Sequence, residues 1–366
     1  MNRRLARIPV PDEAGARDRA WRIAQAAYAE REPQPRRRRR AWPLALAAAG
    51  AAVVAAAFTS PGMAVLDSIR RAVGVEHAQP ALFSLPTTGR LLVIEQRTGG
   101  VWVVQPDGSK RRLGEYREAA WSPFGRFIVA TTENELRTVE PNGNVHWTLA
   151  RPFVHSARWG GSRADTRIAY VSKDDLRVVA GDGTGDRLLA KPVHGALAWR
   201  PGAGHQLAYG SAGWLYLRDA DSGRFIWKRR IRGLAADELE WSADGKQLLL
   251  VSSDLVLFDA RGRELRRIHS GFVSAALSPQ GRLAYVRRTG SASQVVLGSG
   301  KRVFTGTGDF TDLTWSPDGH TLLISWPAAN QWVFVRVDPP RKIVADAQIA
   351  RQFGGEFPRV SGWCCQ

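Results

Sequence analysis

The chain has 366 residues and a formal charge of +18, from 52 Lys and Arg against 34 Asp and Glu. Its two cysteines are neighbours, Cys364 and Cys365, which excludes a long-range disulfide framework. Residues 1–40 hold twelve Arg and five acids, a net +7, so +11 remains on the rest.

In chain order, residues 12–31 read as a helix. Pro11 suits a first helical position, and Asp12 and Glu13 suit the N-terminal dipole. Ala20, Trp21, Ala24, Ala27 and Tyr28 make a narrow apolar stripe, which suits a juxtamembrane helix or a docking helix for a cytoplasmic partner. Five arginines, Arg36 to Arg40, precede an uncharged, alanine-rich run at residues 41–60. About twenty such residues span a bilayer, and the arginines hold their own side in the cytoplasm. The expectation is a single-pass membrane protein with the bulk of the chain outside. A cleaved signal peptide at Ala55-Ala56-Ala57 and a twin-arginine signal at Arg39-Arg40 are the competing readings. Ser60-Pro61 then opens a short helix to about Val73, a stalk within residues 61–80.

From residue 81 onward one phrase recurs. It is clearest at Trp315-Ser316-Pro317-Asp318-Gly319-His320, followed by Leu322-Leu323-Ile324. Copies with drift begin at Trp121, Trp159, Trp199, Trp241 and Leu277, at steps of 38, 40, 42, 36 and 38 residues. Each copy reads as an alternating strand, a Pro/Asp/Gly turn, an apolar strand buried on both faces, a second alternating strand and a weaker fourth. A period near forty with strand content predicts propeller blades. A seventh unit is split. Its later strands are Leu91-Leu92-Val93-Ile94 and Val101-Trp102-Val103-Val104, and its tryptophan strand is Val360-Ser361-Gly362-Trp363. That arrangement closes a ring and leaves no open edge. Phe83-Ser84-Leu85-Pro86 is the alternative first strand, and a six-bladed ring the alternative count.

The phrase resembles the repeat of TolB-like and WD-repeat-like β-propellers, over residues 83 to 366. The resemblance implies an all-β, seven-bladed ring of four-stranded antiparallel blades that serves as a binding platform. It also implies that the tryptophan strand lines the axis. Two matched loops then reach the channel mouth, Arg151-Pro152-Phe153-Val154-His155 and Lys191-Pro192-Val193-His194. Arg117 or Glu118, Asp237 or Glu238, Asp312 and Arg359 hold the equivalent positions. The candidate ligand site is therefore His155, His194, Asp237, Asp312 and Arg359. Imidazoles and acids around a ring suit a metal or a polar ligand, although no close His-x-His or Glu-x-x-His spacing supports one. The bland reading is that these are solvated loop residues.

Other motifs are weaker. Asp182-Gly183-Thr184-Gly185-Asp186 lacks the acids of a calcium cage and reads as a hairpin turn. Asp219-Ala220-Asp221-Ser222-Gly223-Arg224-Phe225-Ile226-Trp227 resembles the quinoprotein repeat in one blade, with His146-Trp147 a remnant. Trp227 reads better as a packing plug. Cys364 and Cys365, as strand neighbours, are expected on opposite faces.

There is no Gly-x-Ser-x-Gly elbow and no phosphate-binding Gly-x-x-x-x-Gly-Lys-Ser/Thr loop. The expectation is a non-catalytic, membrane-anchored, extracytoplasmic module without a cofactor. It binds a protein, a peptide or an anionic envelope polymer, and no nucleic acid. One alternative is a transmembrane regulator whose layout resembles membrane-bound anti-sigma factors. The other is a quinoprotein-like or metal-dependent enzyme at the channel mouth.

Overall fold

The computed structural model describes residues 84–231, 234–269 and 271–365. The helices expected at residues 12–31 and 60–73 and the span expected at residues 41–60 lie outside them. Among the described residues, no helix is long and apolar enough to cross a membrane.

Among these residues the strands form seven four-stranded antiparallel sheets. Blade 1 runs, from the axis outward, Arg359–Cys364, Arg90–Ile94, Gly100–Val104 and Lys110–Glu115. Its innermost strand comes from the far end of the chain, with Trp363 opposite Leu91. The segment around Leu85 instead crosses to the blade's turn, where its N–H reaches the carbonyl of Pro106 at 2.9 Å. The ring thus has seven blades, closed by Val360 to Trp363 and not by the described part, residues 84–86, of the alternative first strand.

The inner and second strands of the other blades follow in chain order. They are Glu118–Trp121 and Ile128–Thr131 in blade 2, Val154–Gly161 and Thr166–Ser172 in blade 3, and Leu197–Trp199 and Gln206–Ser211 in blade 4. Blade 5 has Glu238–Trp241 and Gln247–Val251, blade 6 Phe272–Leu277 and Leu283–Thr289, and blade 7 Leu313–Trp315 and Thr321–Trp326. The second strands lie between neighbouring blades, so both their faces are apolar. All six residues of Thr321–Trp326 are buried. Outer strands such as Val145–Ala150 face solvent and are mostly exposed.

The core is not central. Buried side chains form seven clusters among the described residues, and each bridges two adjacent blades. The inner-strand tryptophans fill these wedges, and two of them add a hydrogen bond across the seam. Trp199 Nε1 donates to the carbonyl of Arg158 at 2.9 Å, and Trp315 Nε1 to that of Ala276 at 3.3 Å. Burying one such side chain contributes roughly 1.5–3 kcal/mol.

The outer tryptophans work between blades. Trp227, on the outer strand Phe225–Arg230 of blade 4, donates Nε1 to the carbonyl of Ala260 in blade 5 at 3.0 Å. Trp147 of blade 2 does the same to Gly181 of blade 3 at 2.9 Å. The quinoprotein-like phrase and its remnant are therefore equivalent plugs across seams, not packing within one sheet. A segment between blades 7 and 1 adds a latch. The short helix Ile349–Gln352 and Phe353 pack on Trp332 and Trp102, and Lys110 Nζ donates to Gln352 Oε1 at 2.6 Å.

Candidate functional site at the channel mouth

Alternation along the inner strands decides what faces the axis. In Glu238–Trp241, Leu239 and Trp241 are buried in the wedge, while Glu238 and Glu240 are exposed. In blade 7, Leu313 and Trp315 are buried, which turns Asp312 and Thr314 inward. Arg158 of blade 3 and Arg359 of blade 1 are also exposed. Blades 4 and 6 present no charge on their inner strands, Leu-Ala-Trp and Phe-Val-Ser-Ala-Ala-Leu.

Arg158, Glu238 and Glu240 are reachable by water yet enclosed by protein on all sides, as expected of a narrow wet channel. That enclosure shifts their titration. Burial raises Glu240 to about 7, with Glu238 adding and the Leu277 N–H, 2.8 Å from Oε2, opposing. Burial raises Glu238 too, reinforced by Asp312 and Asp237 and opposed by Arg158 and Arg359. Asp312 is raised by burial, against the pull of the Val360 N–H at 3.3 Å and of Arg359. Arg158 is lowered by burial and by Arg359, against Glu118 and Glu238. Side chains from blades 1, 2, 3, 5 and 7 thus feel one another across the axis.

A bulge shapes one side of this ring. Between His155 and Arg158 the register with Thr166–Ser172 slips, and Phe153 and Ser156 take positive φ of 51° and 55°. The slip aims the Ser156 N–H across the seam at Glu118 Oε2, 2.7 Å away.

The five sequence-derived positions divide. Asp312, Arg359 and Asp237 belong to the mutually coupled set at the channel. The histidines do not join it. His155 Nε2 lies 3.2 Å from the carbonyl of Lys173, and its Nδ1 lies 3.1 Å from Ser156 Oγ. His194 faces the Asp174 carboxylate at 3.5 Å, with both side chains about two-thirds exposed, at 65% and 64%. Among the described residues, no three His, Cys, Asp or Glu side chains gather as a metal would require. Arg158 and Glu240 escaped the sequence reading, which stopped at the loop positions. The same alternation, carried two residues further, reaches Glu240, whereas Arg158 lies three residues beyond His155 because the bulge shifts the register.

Beside the mouth lies a cleft of about 740 Å³ whose charged wall residues are Glu95, Glu115, Glu133, Arg97, Arg117 and Arg359. Glu95 is spoken for: it is buried and accepts from Trp102 Nε1 at 2.7 Å and from the Thr98 hydroxyl. Arg97, Arg117 and Arg359 have no carboxylate within ion-pair distance among the described residues. The cleft can therefore grip carboxylates and carbonyls of a partner by charge-assisted hydrogen bonds.

The other singled-out motifs are accounted for. Asp182 accepts from the N–H and hydroxyl of Thr184, closing its turn. Asp186 is bound by Arg151, Arg177 and Tyr170 instead of a cation. Cys364 and Cys365 are joined in a vicinal disulfide, and both are half-buried. They do not alternate as strand neighbours, because the strand ends at Cys364 and Cys365 takes a φ of 87°.

No protein-family profile and no curated protein matches the chain. Solved structures do match in fold. The β-propeller domain of Cps50 (Swd1) from Myceliophteria thermophila superposes with a TM-score of 0.50 at 14% identity, covering 66% of this chain and 94% of that one. A chain of a mitotic checkpoint complex gives 0.50 at 17% identity, covering 67% and 90%. The fold is thus a seven-bladed, WD40-like β-propeller.

Proposed function

We propose that this chain is a non-catalytic binding platform, held at a membrane by residues 41–60, with the propeller on the extracytoplasmic side. The ring presents its mouth face to a protein, a peptide or an anionic envelope polymer. One observation carries the binding reading: Arg97, Arg117 and Arg359 line a cleft at the mouth, and among the described residues none of them has a carboxylate within ion-pair distance. The membrane reading rests on the arginine run and the uncharged segment that follows it. The net +11 outside residues 1–40 favours an anionic partner.

The test is a pull-down with the full chain against envelope extract, at low and high salt, beside the double variant Arg97→Glu/Arg117→Glu. Partners should be lost from the variant while its melting temperature stays unchanged. Equal recovery by both proteins would remove the mouth as the binding face. Alkaline extraction of membranes tests the anchor separately, since a spanning chain stays in the pellet.

A second reading gives residues 12–31 a cytoplasmic partner and makes the propeller a sensor. It is favoured by the order of tail, arginine run and external domain. Deleting residues 2–30 should then release the partner.

A further inference from the structure

We propose that the seam between blades 1 and 2 carries, on the turn face, a cleft that binds an oxyanion, a phosphate or carboxylate group. The cleft measures about 520 Å³ and is walled by Arg90, Arg111, Arg126, Gln105, Glu140 and Asn142. It lies at the tryptophan end of the inner strands, away from the mouth, and does not depend on the reading of the mouth.

The repeat supplies an internal control. Trp121 stands opposite Ile128, and Ile128 opposite Val139; in blade 7, Trp315 stands opposite Leu322, and Leu322 opposite Val335. Counting on from these registers, Arg126 takes the place of His320, and Asn142 the place of Asp338. In the preceding blades Leu91 faces Trp363 as Leu283 faces Leu277, so Arg90 corresponds to Arg282.

The two seams share a clamp and differ in charge. Arg282 lies 5.0 Å over the Trp315 ring and donates to the Gly319 carbonyl. Arg90 lies 4.8 Å over Trp121 and donates to the Gly125 carbonyl at 2.5 Å. Between blades 6 and 7 the guanidinium is then neutralised by Asp338, which also accepts from His320 at 2.6 Å. Between blades 1 and 2 the carboxylate is replaced by the neutral Asn142, and the imidazole by a second guanidinium, Arg126.

Every cation in this cleft is held by a neutral group. Arg126 lies 5.2 Å over the Phe127 ring, and Arg111 donates to the backbone carbonyl of Asn142 at 3.2 Å. The one carboxylate in the wall, Glu140, accepts from Asn142 Nδ2 at 2.8 Å. Three guanidiniums against one carboxylate leave a positive cleft, and their planar forks match oxyanions. The floor is fixed beforehand. The Cys364–Cys365 disulfide lies under the Ser122-Pro123-Phe124-Gly125 turn, each sulfur 3.8 Å from a carbonyl of Ser122 or Pro123. An anion seated here would stand where blade 7 holds its own Asp338 carboxylate.

The test is calorimetric titration of the full chain with inorganic phosphate and, separately, with an oligoglutamate peptide. The key variant is Asn142→Asp, which supplies the carboxylate internally. Arg111→Gln, at an exposed position, is the second. At least one probe should bind the native chain, and both variants should weaken it tenfold or more with the melting transition retained. Binding of phosphate alone assigns the cleft to a free phosphorylated molecule. Binding of the peptide alone assigns it to an acidic segment of a partner. Failure of both probes to bind the native chain, or unchanged affinity in both variants, would overturn the proposal.

Discussion

Arg282 Nη1 donates to Asp338 Oδ1 at 2.8 Å across the seam between blades 6 and 7, and Nη2 reaches Oδ2 at 3.1 Å. Together with His320, this holds the Asp338 carboxyl down at about 2. A depressed carboxylate stabilises the fold fully above its ordinary value near 3.8 and loses that contribution as pH falls through about 2. Both side chains are about one-third exposed, so solvent screening limits the effect to about 1 kcal/mol. Asp338→Asn should lower the urea midpoint at pH 7, and the gap from the native chain should close between pH 4 and 2.

Glu240 behaves in the opposite sense. Its folded value, about 7, lies above the ordinary 4.5. The native state therefore holds the proton more tightly, and stability falls as pH rises from about 4.5 to about 7. Channel water screens the group, so the loss is about 1 kcal/mol. Glu240→Gln keeps an acceptor for the Leu277 N–H. It should raise stability at pH 8 and leave it unchanged at pH 4, as read from denaturation midpoints across that range.

The closing strand can be tested at Trp363, which is buried between Leu91 and Phe334. Trp363→Ala should cost about 3–5 kcal/mol. Because the same residue shuts the ring, the denaturant transition should also broaden. A narrow transition with a small shift would show that closure does not depend on this side chain.

Two turn glycines separate backbone strain from packing. Gly223 and Gly262 lie in the turns between the third and outer strands of blades 4 and 5, with φ of 74° and 73°. A Cβ at Gly223 meets nothing within 4 Å, whereas one at Gly262 lies 2.9 Å from the Trp227 ring. Gly223→Ala should cost about 1 kcal/mol from the left-handed backbone alone. Gly262→Ala should cost about 1–3 kcal/mol more, because the Trp227 plug must shift. Thermal melts of the two variants measure the difference.

Blade number and closure were legible because the signal is local and repeated. Trp-Ser-Pro-Asp-Gly specifies a strand end and its turn wherever it occurs, and its spacing counts the blades. The split unit showed itself because Trp363 had no second strand after it and Leu91 had no tryptophan before it. The site was less legible, because what matters there is side-chain direction. His155 sits one residue before a bulge, and its ring turns to the Lys173 carbonyl instead of the axis. The pairing of His205 with Asp221 at 2.5 Å, and of His320 with Asp338, joins residues 16 and 18 apart whose partnership only the sheet register reveals. The cleft at Arg90, Arg111 and Arg126 was hidden for the same reason: it appears only when two blades are aligned strand by strand.

The origin of the innermost strand of blade 1 sets a schedule for synthesis. About 265 residues separate Ile94 from Arg359. At roughly 5–20 residues per second, the ribosome delivers the missing strand on the order of 10–50 s after the rest of blade 1 has emerged. Throughout that interval Leu91, Leu92 and Val93 form a bare, greasy border with unmet N–H and C=O groups. The nascent chain therefore passes through a long stage in which it can capture a strand from a neighbouring polypeptide. Its yield in the cell should respond to chaperone supply more than its finished stability would suggest.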